Sequence, residues 1–134
     1  MADATYQPKT YHKRGGDEFV VADGGQLTFE GQGTVTQATS KSTGVTLNKI
    51  SGQVTMNNAE LASAAKVSFT VTNSKVAATD VISVNVLSGG TASAYRASVT
   101  AVAAGSFVVT VENITGGSLS EAPVIGFFVH KLTA

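Results

Sequence analysis

Between residues 66 and 72 Val67, Phe69 and Val71 alternate with Lys66, Ser68, Thr70 and Thr72, and this period of two recurs through most of the chain beyond residue 34. Alternation places every second side chain on one face of a strand, whereas a helix needs a period of about 3.6. The same pattern runs through residues 81–87, with Ile82, Val84 and Val86 directed inward, and through 95–101, 107–111 and 123–130. Weaker candidates lie at 34–36, 44–47 and 52–56. Gly89 with Gly90, Gly105, and Gly116 with Gly117 punctuate the runs as turns, and the β-branched residues favour strands. Residues 58–65 are the one stretch that could hold a helix, and they are too few to require it. The pattern predicts an all-β chain, an antiparallel β-sandwich or jelly roll with a short N-terminal arm and hairpin.

A length of 134 residues fits one domain with an added segment, and the charges mark where the segment ends. Residues 1–33 hold eight of the eighteen charged side chains, so the reading is an N-terminal arm and hairpin over 1–33 and a β-sandwich domain over 34–134. Residues 1–14 read as an extended arm. Residues 18–22 and the alternating 26–30 read as the two strands of a hairpin, with Asp23, Gly24 and Gly25 as its turn.

Composition removes most chemistry. Without Cys there is no thiol nucleophile, zinc-thiolate site or disulfide. A formal charge of zero gives no global field for nucleic acid or an anionic membrane. No run approaches about 18 apolar residues, and the N-terminus lacks the basic and apolar regions of a signal peptide, which predicts a soluble chain without export. Charged residues make up 13%, while 17 Thr and 13 Ser give a neutral, hydroxylated skin of the sort carried by proteins packed into assemblies. His12 and His130 have no carboxylate at ligand spacing, so neither a metal nor any other cofactor is expected. Asp17 and Glu18 are sequence neighbours that point to opposite faces of a strand and cannot share a substrate. Residues 15–19 spell the diguanylate cyclase signature by coincidence, since 14 residues cannot hold the α/β structure that must precede it. Asn113, Ile114 and Thr115 form a glycosylation sequon that reads as a turn. No enzyme is expected.

Two surfaces remain. The final run is apolar on both faces, with Ile125, Phe127 and Val129 on one, Val124 and Phe128 on the other, and Gly126 as a gap. A sandwich covers one face of each sheet, so Val124 and Phe128 need a second cover: a neighbouring copy, or a loop or the 17–30 hairpin of the same chain. Burying them is worth roughly 3 to 6 kcal/mol before ordering costs. The N-terminal segment supplies the other surface, with Lys9, Lys13 and Arg14 interleaved with Tyr6 and Tyr11 and followed by Phe19. Three cations beside tyrosines could touch nucleic acid, but they are few and Asp17, Glu18 and Asp23 follow at once, so the cluster reads as a solvated or protein-binding arm, of a kind that can order against a partner.

Tyr6, Gln7, Pro8, Lys9, Thr10 and Tyr11, followed by residues 15–22, resemble the start of small head decoration or head-fibre proteins of tailed bacteriophages. Residues 33–49, with 117–122, resemble a β module of phage virion proteins that also ends tail fibres and spikes. The resemblance implies a cement protein: a β-structured homotrimer, made in the host bacterial cytoplasm, that sits on the virion's outer capsid surface and bridges subunits of the major capsid protein. It carries over no catalytic residue. On this reading Tyr6, Lys9, Tyr11, Lys13, Arg14 and Phe19 contact the capsid, and Val124 and Phe128 form the subunit interface. The alternatives are a tail fibre or spike component, or a carbohydrate-binding module with Tyr95 as its stacking platform.

Overall fold

The computed structural model describes residues 8–132, which form two compact units divided between Glu30 and Gly31. The first unit contains a two-stranded antiparallel hairpin of β1 (Thr10–His12) and β2 (Phe19–Val21). Thr10 pairs with Val21, Tyr11 with Val20 and His12 with Phe19. This corrects two expectations. Residues 10–12 are a strand rather than part of an extended arm, and β2 pairs with them rather than with 26–30. The reason lies in the turns. The Lys13 N–H donates to the Glu18 carbonyl (2.8 Å) and Gly16 N–H to the Lys13 carbonyl (2.9 Å), while Gly15 and Gly16 supply φ of 100° and 79°. Those two positive dihedrals close the chain back on itself at no steric cost. The Asp23 turn does a different job: Gly25 N–H bonds to the Ala22 carbonyl (2.7 Å) and Ala22 N–H to the Lys9 carbonyl (2.7 Å), so it seals the open end of β1–β2.

The second unit is a sandwich of eight strands: β3 (Gly33–Thr36), β4 (Val45–Thr46), β5 (Ser51–Thr55), β6 (Lys66–Thr72), β7 (Val81–Ser88), β8 (Tyr95–Ala103), β9 (Ser106–Asn113) and β10 (Val124–His130). One sheet has the order β3-β5-β10-β7 and the other β4-β6-β9-β8. The chain therefore changes sheet at each connection from β3 to β8, and β8–β9 is a hairpin within one sheet. The inner pairings are antiparallel as expected, but the edge pairs β3–β5 and β4–β6 are parallel. Each parallel edge arises because the intervening strand lies in the opposite sheet, which supplies the crossover that parallel pairing demands.

Inward residues follow the alternation. Val54, Phe69, Val71, Phe107, Val109, Val111, Ile125, Phe127 and Val129 are buried between the sheets, with Met56 and Leu61 closing the core. The Phe107 and Phe127 rings meet edge to face at 5.2 Å, joining the two central strands β9 and β10. Residues 58–65 form no helix. Leu61 instead bridges to Leu119, and Ala64 turns with φ of 58°.

Candidate functional site

The hairpin positions the first set of candidate residues. Cross-strand partners share a face, so His12 with Phe19 and Thr10 with Val21 lie on one side, and Tyr11 with Val20 on the other. The His12 and Phe19 rings are 5.0 Å apart. Phe19 is 51% exposed, and Tyr11 and Val21 are also exposed. Tyr11 and Phe19 are thus not brought together, while His12, and Val21, which the candidate contact set left out, belong to the Phe19 face. Strict alternation along 19–21 would have found Val21. Leu27, 58% exposed, and Phe29 add apolar surface, and no side chain from 8 to 30 is fully buried. Tyr6 lies outside the described residues.

The basic cluster is largely spoken for. Lys13 forms an ion pair with Glu18 at 2.7 Å, and the Lys9 ammonium donates to the Asp23 carbonyl at 3.1 Å. Arg14 pairs with no carboxylate among the described residues. The pair Lys13–Glu18 is half exposed, where such contacts contribute about 0 to 1 kcal/mol. What the hairpin presents is a set of exposed apolar side chains, Tyr11, Phe19, Val21 and Leu27, interleaved with charged ones.

The second set lies on the outer face of the β3-β5-β10-β7 sheet. Val124 and Phe128 are half-buried there, and the register places Ser51 and Ser83 beside Phe128, and Gln53 and Asn85 beside Gly126. These residues line a shallow hollow of about 260 Å³. Leu87 from β7 leans over Gly126, where a Cβ would come within 2.7 Å of its Cδ1. His130 packs against the Phe128 ring at 4.6 Å and shares a 3.0 Å hydrogen bond with the Ser83 hydroxyl. The face is apolar at its centre and hydroxyl- and amide-rimmed.

A third feature was hidden in the sequence. Five polar residues of the second unit are buried: Gln37, Lys41, Asn73, Asp80 and Asn113. The Gln37 amide donates to the Lys41 and Thr43 carbonyls, both at 2.9 Å, and accepts from the Asn57 N–H at 3.0 Å. Lys41 sends its ammonium to the carbonyls of Asn57 and Glu121. Burial lowers the Lys41 pKa, opposed by the charge of Glu121. The Glu121 carboxylate accepts from the Thr91 hydroxyl (2.6 Å), the Thr91 N–H (3.0 Å) and the Tyr95 hydroxyl (2.8 Å). Thr91 foremost, then Tyr95, holds its pKa below the usual range. Burial and then Glu121 push the Tyr95 phenol up to about 12. Gln37, Lys41 and Thr43 belong to 33–49 and Glu121 to 117–122, so parts of those two stretches encode loop architecture.

Two candidate roles fall away on this geometry. Tyr95 is 9% exposed and committed to Glu121, so it offers no stacking platform for a sugar. Asn113 is fully buried, its amide donating to the Leu61 and Gly117 carbonyls and its oxygen accepting from Thr115 N–H at 3.0 Å, so the sequon is a side-chain-stabilised turn. Among the described residues no three His, Asp or Glu side chains converge where they could hold a metal ion. Comparison with protein-family models, curated proteins and solved structures found no match.

Proposed function

We propose that this chain is a virion structural protein that binds the outer surface of an assembled phage capsid as a trimer and cements neighbouring subunits. The observation that carries the reading is the N-terminal unit. Among its described residues, 8–30, it leaves Tyr11, Phe19, Val21 and Leu27 exposed and no side chain fully buried, and a lone two-stranded hairpin is marginal in water. An element with this much exposed apolar surface and so little core gains its order from a partner. The second unit, by contrast, has a buried core of its own and serves as the rigid body that the hairpin tethers.

The resemblance of the opening residues to phage head proteins names the partner as the capsid shell. Three chains joined through the Val124 and Phe128 face would present three hairpins at once. Linked contacts raise the effective concentration of the second and third, so avidity exceeds single-site affinity by roughly a hundredfold or more. A ligand that binds only the assembled shell stabilises it by mass action, about 2.7 kcal/mol per site at a hundred times the dissociation constant. The deciding experiment is co-sedimentation with purified, expanded shells: the full chain pellets with them, and a chain lacking residues 1–30 stays in the supernatant. Equal pelleting of the two removes the hairpin from the mechanism, and a full chain that never pellets removes the capsid.

A further inference from the structure

The sandwich has four edge strands, and three of them carry features that discourage pairing with another chain. β3 has four residues and β4 two, too short to template a neighbour. β8 carries Arg96 and is interrupted by a bulge between Val99 and Ala101. Short edges, charges and bulges are the usual protection of an open edge. β7 is different. It is eight residues long, contains no charged residue and no proline, and pairs on one side alone, with β10. Its bulge sits near the end, at Leu87, leaving 81–86 regular.

The side chains of β7 are incompletely covered on both faces. Val84 and Val86 point toward the core yet remain half-buried, although Val54, Ile125 and Val109 at comparable inward positions are sealed. On the outer face Val81 is 54% and Leu87 53% exposed. Edge and flank together form an unguarded, uncharged strand backed by a leaking core.

We infer that β7 pairs with β7 of a second copy of this chain, antiparallel about a twofold axis through Val84. The sequence of β7 matches itself in this register. Val84 faces its own copy, Ile82 faces Val86, and Ser83 faces Asn85. Each pair keeps inner residues with inner and outer with outer, which antiparallel partners require. The apolar pairs Ile82–Val86 and Val84–Val84 close the flank of both cores, and Ser83–Asn85 pairs hydroxyl with amide on the outer face. With no charge on β7 there is nothing to repel an identical strand, whereas the same twofold on β8 would bring two copies of Arg96 into one seam. The two four-stranded sheets become one continuous sheet across the axis. This contact runs along the edge of the sheet whose outer face carries Val124 and Phe128, with Ser83 and Asn85 common to both, and it does not depend on a capsid. On a shell it would join one trimer to the next.

The absence of native cysteine makes the register directly testable. S83C and N85C are prepared separately and oxidised alone and as an equal mixture. The inferred register yields a disulfide-linked dimer in the mixture and little in either sample alone, because 83 faces 85 and each residue is displaced by two positions from its own copy. Sedimentation of the cysteine-free chain over a concentration series should show a step that at least doubles the mass of the smallest species. S83K/N85K should weaken it at least tenfold, and S83K/N85E, which sets each lysine opposite a glutamate, should restore it. Cross-linking of either single variant as strong as the mixture, or a parent mass unchanged by both double variants, overturns the inference.

Discussion

Gln37 is a neutral amide whose side chain bonds to the backbone at Lys41, Thr43 and Asn57, which makes it the pin of the β3–β4 connection. Replacing it by Ala leaves the Asn57 N–H and the Lys41 and Thr43 carbonyls to find other partners. The expected cost is about 3 kcal/mol, since each buried unsatisfied group costs about 1 to 3 kcal/mol. Urea unfolding monitored by tyrosine fluorescence measures it. Two carboxylates set the acid limb of stability. Asp80 accepts from Ala77 N–H at 2.8 Å and meets the Lys131 ammonium at 2.5 Å, and these, the amide first, hold its pKa below the usual range. Glu121 is lowered by Thr91 and Tyr95. A carboxyl depressed on folding contributes stability that is complete above its unfolded value, near pH 4, and lost as the pH falls through the folded value. Thermal melts should therefore drop steeply below about pH 4, and the Asp80→Asn, Glu121→Gln double variant should flatten that slope. Tyr95 acts at the other limb: its contribution is full below about pH 10 and disappears as the pH rises toward about 12. None of this network could be read from residue type, because a buried Lys in a loop looks like any surface residue until its carbonyl partners are brought to it from 16 and 80 positions away.

Among the elements, β10 was the most legible and the most consequential. Its alternation separates Phe127 from Phe128 by one position and by opposite roles. Phe127→Ala should cost about 3 to 5 kcal/mol by opening a cavity against Phe107. Phe128→Glu, on the half-buried outer face, should leave the fold cooperative and, if that face joins the copies, release monomers. Light scattering that still gives the parent mass would discard the seam. Long strands were legible because period two is a local signal: β6, β7, β9 and β10 all fall where the alternation places them. Pairing partners were not, since nothing local says that β3 and β5 run parallel. The hairpin illustrates the limit. Two glycine turns competed for residues 18–22, and the one with paired positive dihedrals at Gly15 and Gly16 won.

Taken whole, the molecule divides its labour between a self-sufficient sandwich and a hairpin that has no core of its own. A chain beginning at Gly31 should melt cooperatively within a few degrees of the full chain, because among the described residues the buried ones all belong to the second unit. Differential scanning calorimetry checks this, and a broad, early transition would show that the hairpin is structural. The switching of sheets from β3 to β8 means that most pairings are non-local, so refolding should take milliseconds to seconds rather than microseconds. Gly33, where the chain enters the sandwich, pairs with Gly52, which pairs with Phe127, three residues before β10 ends. Entry and exit are therefore at the same pole of the sandwich. The opposite pole, where Gln37, Lys41 and Glu121 lace the connections together, carries neither of those strand ends. Substitutions in its loops should therefore leave the Gly33–Gly52–Phe127 pairing intact.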